Sequence, residues 1–273
     1  MSIEKKFYVI GDPIEHSKSP VIHTEFAAQF GLSINYQKAR VSECELADFI
    51  SKLETEEIAG INLTVPLKER AFRLASKSTE RAVFAKAVNT LWLSHGKIFA
   101  DNTDGWGIVR DLERNMGLSL KGKKVLIVGA GGSARGILGP ILSRMPESVA
   151  ITNRTREKSI CLAKIASTNN IKILGWGEKS KEIADLVLNC TSLSLVNKIP
   201  ELDENVIGAD TLCYDLAYGT GLTAFEKWAR ENGAISSDGI GMLVEQAAEA
   251  FKIWHGRDPE TQQVIKRLRK IEE

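Results

Sequence analysis

The run Gly129-Ala130-Gly131-Gly132-Ser133-Ala134 has the form G-x-G-x-x-A. It stands directly between an apolar stretch, Val125-Leu126-Ile127-Val128, and a helical pattern that reaches Arg144. Each small residue there has a physical task. The first glycine permits a tight turn, the second lets backbone approach a pyrophosphate, and the small third residue lets helix pack close to strand. Free N–H groups at the start of the helix then hold the anion, so the loop offers dinucleotide binding and the hydride chemistry that goes with it. The following strand is expected to end with the group that reads the adenosine ribose, which NAD enzymes usually supply as a carboxylate. Here the residues are Asn153-Arg154-Thr155. A guanidinium at that place pairs with a 2′-phosphate through charge-assisted hydrogen bonds, with Asn153 and Thr155 adding polar contacts, so NADP(H) is expected in preference to NAD. Lys158 reads as an exposed helix lysine.

Four polar clusters lie where strands of the amino-terminal half end: Ser17-Lys18-Ser19-Pro20, Asn62-Leu63-Thr64-Val65-Pro66-Leu67-Lys68, Ala87-Val88-Asn89-Thr90 and Asp101-Asn102-Thr103-Asp104-Gly105. Each offers hydroxyl, amide or charged groups in a loop that proline or glycine holds in shape. As a set they suit a small ligand dense in oxygen atoms.

The elements that must carry these groups follow from periodicity. Strand-like runs at 6–11, 34–41, 58–65 and 88–93 alternate with helical patterns beginning near Pro20, Glu43 and Lys68. Ser94-His95-Gly96-Lys97 reads as a hairpin turn, so the first sheet is expected to be mixed. A helix from Trp106 to Asn115 leads into the strand 125–128. Further strands are expected at 149–152, 171–174, 186–189 and 212–215, the βαβ alternation of a doubly wound sheet. A helix then runs from Gly241 through Phe251 to His255, and another after Pro259 carries Val264, Ile265, Leu268 and Ile271 on one face. The cluster Lys266-Arg267…Arg269-Lys270 reads as the solvated side of that helix.

Composition bounds the alternatives. A chain of 273 residues with 36 basic and 35 acidic side chains has no overall field to attract nucleic acid or an anionic membrane. Cys44, Cys161, Cys190 and Cys213 show neither CxxC pairing nor metal-ligand spacing with the four histidines, so no metal site and no disulfide framework is expected, and a reducing cytoplasm fits. The stretch Phe7-Tyr8-Val9-Ile10 is too short for a signal-peptide core or a membrane span.

The four clusters, the glycine loop, Asn153-Arg154-Thr155 and the late stretch Asp238-Gly239-Ile240-Gly241-Met242-Leu243-Val244-Glu245-Gln246-Ala247-Ala248 together closely resemble the shikimate dehydrogenase family, in order and spacing, over nearly the whole chain. The resemblance implies reversible reduction of 3-dehydroshikimate to shikimate with NADPH, a step toward aromatic amino acids. It also implies an α/β fold: a substrate domain with a mixed, mainly parallel sheet (1–102), a Rossmann-type domain for NADP(H) (103–238), and carboxy-terminal helices (239–273) returning to the substrate domain. Carried over by motif, Ser17 and Ser19 bind the substrate carboxylate. Asn62, Thr64, Asn89, Asp104 and Gln246 hold ring hydroxyls or orient their neighbours, and Lys68 and Asp104 form the catalytic pair. Tyr218 lies near the carboxylate, and Gly241 lies by the nicotinamide. The resemblance leaves monomer and homodimer open.

The chain departs from the family pattern at Thr24, where Asn is usual, at Lys86, where glycine is common, and at Thr220, where proline is frequent. None removes a catalytic group, and His16 and His23 are read as structural. Two rival readings are an NAD-linked quinate/shikimate dehydrogenase, against which Arg154 and Lys18 argue, and a regulator that binds NADP without turnover. The regulator would be expected to lack Lys68 or Asp104, and both are present.

Overall fold

The computed structural model describes residues 5–166, 171–180 and 182–272 and contains two six-stranded sheets. The first half of the chain runs β1 (Lys5–Gly11), α1 (Ser19–Gln29), β2 (Ile34–Arg40), α2 (Leu46–Thr55), β3 (Ile58–Leu63) and α3 (Lys68–Leu74). It continues with β4 (Lys77–Ser78), α4 (Glu80–Ala85), β5 (Thr90–Ser94) and β6 (Lys97–Asp101). Its strand order is β2-β1-β3-β5-β6-β4. β1 pairs in parallel with β2 and β3, whereas β5 is antiparallel to both β3 and β6, so the sheet is mixed, with the hairpin at 94–97. Parallel strands buried on both faces read as apolar runs, and Ile10, Ile61 and Leu63 are all buried.

The second half runs α5 (Asp104–Arg110), a π-helical turn at 111–115, β7 (Lys124–Val128), α6 (Gly132–Leu142), β8 (Ser148–Thr152), α7 (Arg156–Ile165) and β9 (Ile171–Ile173). Then come β10 (Leu186–Asn189), β11 (Leu212–Asp215), α8 (Ala224–Glu231) and β12 (Ile235–Ser237), before α9 (Ile240–His255) and α10 (Gln262–Glu272). All strands of the second sheet are parallel, in the order β12-β11-β10-β7-β8-β9. Order reverses beside β7, and the glycine loop leaves the carboxyl end of that strand. In open α/β sheets this crevice is where ligands bind.

Several short elements escape the periodicity reading, among them β12 as well as the three that follow. β4 has two residues, too few for an alternating pattern. α4 has six and starts on Thr79, whose hydroxyl accepts from the Ala82 N–H at 3.4 Å. α8 starts on a reciprocal capping box between Thr223 and Glu226. Lys86 closes α4 in the left-handed conformation (φ 49°), which accounts for the glycine common there. Thr24 and Thr220 are exposed to solvent. On α10 the side chains of Val264, Ile265 and Leu268 are buried while Lys266, Arg267, Arg269 and Lys270 are exposed; the side chain of Ile271 lies outside the described residues.

Helices hold the halves together at close range. Glycines make this possible: α5 presents Gly105 to Pro140 and the Gly136 carbonyl on α6, and Gly107 to Met242 and Gln246 on α9. A methyl at either place would overlap backbone. α9 also packs on α1, where Ile22, Phe26, Val244, Ala247 and Phe251 share one apolar cluster. Its far end reaches β3, with Trp254 filling the space above Gly60.

His23 is wholly buried in this region, its ring stacked on Tyr36 at 4.4 Å, and burial, followed by its neighbour His255, lowers its pKa to about 3. An unfolded histidine titrates near pH ~6.5, so below that pH the unfolded chain takes up a proton that the folded chain refuses. Stability is therefore expected to fall as pH drops from about 6.5 toward 3, by up to about 1.4 kcal/mol per pH unit. His255, lowered to about 4 chiefly by burial, acts in the same direction. His23→Phe should shrink the difference in Tm between pH about 7.5 and about 5; an unchanged difference would contradict the assignment.

Candidate active site

Lys68 is the first residue of α3, and β3 delivers it to the cleft through the turn at 64–67. There the Leu67 N–H donates to the Thr64 carbonyl at 2.9 Å. The Lys68 carbonyl accepts from the Val88 N–H at 2.9 Å, which ties α3 to the segment carrying Asn89. Asp104 opens α5, and its own N–H donates to Asn102 Oδ1 at 3.1 Å. Across the cleft floor Lys68 Nζ meets Asp104 Oδ2 at 2.6 Å, with the two side chains only 10% and 5% exposed. A dry ion pair of this kind is expensive to assemble, and neither charge can be removed without stranding the other.

Asn89 organises the rest. Its amide nitrogen lies 2.9 Å from Asp104 Oδ1, 2.9 Å from Thr103 Oγ1 and 3.0 Å from Gln246 Oε1, and its Oδ1 accepts from the Thr103 N–H and Thr90 hydroxyl, both at 2.9 Å. Asn62 donates to the Asn89 carbonyl at 3.1 Å and to Thr90 Oγ1 at 3.2 Å. At the other end Ser17 Oγ lies 3.3 Å from Ser19 Oγ. One cleft is lined by Ser17, Ser19, Asn62, Thr64, Lys68, Asn89, Asp104, Tyr218 and Gln246, all nine of the sequence-derived catalytic and substrate-side residues. His16 also lines this cleft, at 6.4 Å from the Tyr218 ring, which the structural reading of that histidine had not anticipated.

A second opening adjoins the first, and Lys68, Ser133, Cys190 and Thr191 belong to both. Gly129, Ala130, Gly131, Gly132, Asn153, Arg154 and Lys158 line it, and Ala134 is buried beneath the loop. Gly129 takes φ +108° with its back against Cys190, a conformation that requires glycine. Gly131 stands at the N-cap of α6 and offers no side-chain cap, so the first-turn N–H groups have no capping acceptor, as an anion site requires. Arg154 is exposed at the end of β8; Asn153 turns its amide to the Thr155 carbonyl at 2.9 Å, and Thr155 caps α7 by position alone. These features fit a dinucleotide whose pyrophosphate rests on α6 and whose 2′-phosphate reaches Arg154.

Beyond Lys68 and Ser133, the wall shared by the two openings was not marked by sequence. Cys190-Thr191-Ser192 follows β10, and Asn189 Oδ1 accepts from Thr191 Oγ1 at 2.7 Å. Burial, then the Asp215 and Asp104 carboxylates, hold the Cys190 thiol well above its usual range, so it stays a neutral wall. Asp215 accepts from Ser194 Oγ at 2.6 Å and Thr223 Oγ1 at 2.8 Å, pinning the loops after β10 and β11 to each other. Two further contacts join the glycine loop and α6 to α3: Lys68 Nζ lies 3.4 Å from Ser133 Oγ, and Arg135 pairs with Glu69 at 3.2 Å.

Three family models match the chain: the shikimate dehydrogenase substrate binding domain over residues 9–91, shikimate / quinate 5-dehydrogenase over 111–202, and the shikimate 5′-dehydrogenase C-terminal domain over 239–269. A shikimate dehydrogenase (NADP(+)) of Chromobacterium violaceum is 45% identical over 268 residues, covering 97% of this chain and 98% of the relative. The chain belongs to the shikimate dehydrogenase family. Among solved structures, an Ael1 enzyme from Pseudomonas putida superposes with a TM-score of 0.88 at 41% identity, over 97% of this chain and 98% of that one. The shikimate 5-dehydrogenase of Thermus thermophilus, in complex with NADP(H) and shikimate, superposes with a TM-score of 0.85 at 28% identity, over 97% and 99% of the two chains. A family substrate domain and Rossmann-like fold thus account for the two sheets.

Gly241, expected by the nicotinamide, is not among the residues that line the two openings. Its Cα faces the Asp111 carboxylate, which accepts from Tyr214 OH at 2.7 Å and from Asn115 Nδ2 at 2.8 Å, while Gly239 and Met242 line the cleft. The Tyr214 hydroxyl in turn accepts from the Met242 N–H at 3.1 Å, so glycine at 241 lets α9 start tight against this buried network. Gly241→Ala should therefore lower stability by about 2–4 kcal/mol, read as Tm, whether or not NADP(H) is added. A variant with unaltered Tm and a selectively raised KM for the cofactor would contradict the packing role.

Proposed function

We infer that this cleft reversibly reduces 3-dehydroshikimate to shikimate with NADPH, with Lys68 and Asp104 as the catalytic pair. The observation that carries the reading is the buried 2.6 Å Lys68–Asp104 contact at the junction of the two openings, one suited to an oxygen-rich ring and one to a dinucleotide. In this reading residues 1–102 and 239–273 hold the substrate and 103–238 hold NADP(H). Ser17 and Ser19 receive the carboxylate beside Tyr218. Asn62, Thr64, Asn89 and Gln246 hold ring oxygens. The loop Gly129–Ala134 seats the pyrophosphate, Asn153, Arg154 and Thr155 read the ribose phosphate, and Gly239 and Met242 stand at the nicotinamide end in place of Gly241.

NADPH, when bound, supplies the hydride that goes to the substrate carbonyl carbon. The carbonyl oxygen then gathers negative charge, and the Lys68 ammonium, a hydrogen-bond donor aimed into the cleft, stabilises that charge and delivers the proton. Asp104 holds the ammonium with one carboxylate oxygen while its other oxygen is held by Asn89. Asn89 and Thr103 fix the position of Gln246 Oε1, so the amide groups keep one orientation before substrate arrives. Binding and catalysis thus fall on different side chains.

Lys68→Ala should lower kcat by about 10²–10⁴-fold while changing the shikimate KM much less. Ser17→Ala should do the opposite, because a carboxylate contact is made equally in ground and transition states. Near-normal kcat with a raised KM in Lys68→Ala would make the lysine a binding residue. On the cofactor side, Arg154→Ala should reduce the preference for NADP over NAD by roughly ten- to hundredfold, from the loss of a charge-assisted pair. Equal losses with both cofactors would mean that Arg154 does not read the phosphate.

A further inference from the structure

We propose that Trp176 is the wall on which the adenine base of the dinucleotide rests. The proposal rests on the functional reading above, in which the second opening holds NADP(H), and adds to it a residue that no sequence motif marks. Trp176 lines that opening together with Asn153, Arg154 and Lys158, and among the described residues it is the only aromatic one to do so.

The place of the base follows from the place of the ribose phosphate. In NADP(H) the 2′-phosphate and the base sit on adjacent carbons of one ribose, so a phosphate held by Arg154 leaves the adenine beside the end of β8. β9 pairs with β8 in parallel, and Trp176 lies in the turn that follows β9, so the indole stands at the same edge of the sheet as Arg154. Adenine is a flat π system with its hydrogen-bonding groups on its rim, and stacking on an aromatic side chain is the contact its face favours. Ile199 lines the same opening and extends the apolar surface next to the indole.

The turn is fixed on both sides of the ring. The Gly175 carbonyl accepts from Thr152 Oγ1 at 3.2 Å, which ties it to the last residue of β8, immediately before Asn153. The Gly177 N–H donates to the Glu201 carbonyl at 3.1 Å, on the segment that carries Ile199. Gly177 takes φ +67°, a conformation that favours glycine and lets the chain reverse directly after the tryptophan. Trp176 itself is half-buried and packs against the apolar cluster that includes Leu126, Val128 and Val187. A ring ordered in this way loses little freedom when a base settles on it. The contact also divides the work of the adenosine end. Arg154 meets the phosphate that only NADP(H) carries, whereas Trp176 meets the base that NADP(H) and NAD(H) share, so it raises affinity without setting the preference between them.

Trp176→Leu keeps an apolar side chain against the cluster and removes the flat ring. The expected result is a KM for NADP+ raised roughly tenfold, with kcat, the shikimate KM and the NADP+ to NAD+ preference each within about twofold of wild type. Trp176→Phe, which restores a ring, should recover most of the loss. The Kd of adenosine 2′,5′-bisphosphate, which has the base and phosphate but no nicotinamide, should rise by the same factor as the NADP+ KM. An unchanged Kd for the bisphosphate in Trp176→Leu, or equal losses for the bisphosphate and shikimate, would overturn the proposal. If neither variant folds, the wild type labelled with 5-fluorotryptophan carries the test. Trp92, Trp106, Trp228 and Trp254 line neither opening, so saturating bisphosphate should shift one of the five fluorine resonances, and no shift would overturn the assignment. Wild-type binding, measured alongside, separates the two levels. A wild type that binds neither NADP+ nor the bisphosphate overturns the functional reading and this assignment together, whereas a wild type that binds both, with an insensitive Trp176→Leu, overturns this assignment alone.

Discussion

The arrangement depends on one buried ion pair. Lys68 and Asp104 belong to different helices, α3 and α5, and they meet at 2.6 Å where almost no water reaches them. Removing two charges from water costs several kcal/mol each, and their attraction offsets that only if geometry is tight and remaining lone pairs are satisfied. The surrounding amides supply the second condition: Asn89 holds Asp104 Oδ1, and Asn102 and Thr103 fix the loop from which Asp104 starts α5. A pair of this kind is weak evidence for stability. It is better explained by what a fixed, water-poor ammonium does for charge developing on a nearby oxygen.

Holding that pair constrains the fold around it. α5 must lie close to α6 on one side and α9 on the other, and Gly105 and Gly107 remove the side chains that would keep them apart, while Gly136 leaves room for the Asn102 side chain just before α5. Arg81, paired with Asp101 at 2.6 Å and with Glu249 at 2.8 Å, ties α4 and α9 to the strand end just before Asp104. At the start of α9, Asp111 and Tyr214 join the π-helical turn to β11 and to the Met242 N–H. The glycine loop then comes near enough for Ser133 to touch Lys68, which brings the second opening to the buried lysine.

Much of this was legible in sequence because it rests on local rules. The strand, turn and helix of the glycine loop are contiguous, and the mixed first sheet followed from one hairpin turn. The nine residues that line the first cleft could be picked out because most of them sit in polar clusters at strand ends, and family motifs supplied Tyr218 and Gln246. What escaped depends on contacts between distant segments. Tyr36 looks like any inward aromatic residue of an edge strand until Asn62, 26 positions away, is placed against it. The glycines of α5 read as poor helix formers, and only the approach of α6 and α9 gives them a purpose. For Gly241, nothing local shows that Asp111, far back in the chain, occupies the space a side chain would need. α8 was within reach, because Thr223 and Glu226 carry the capping-box spacing.

The central claim is that the two adjoining openings serve one hydride transfer between NADP(H) and a shikimate ring. It is tested most directly by initial rates of cofactor reduction for the wild-type protein with shikimate and with quinate, each paired with NADP+ and with NAD+. The account predicts that kcat/KM is greatest for shikimate with NADP+ and lower by roughly tenfold or more, about 1.4 kcal/mol, when either partner is exchanged. Equal or greater kcat/KM for quinate with NAD+, or no turnover with shikimate and NADP+, would contradict it.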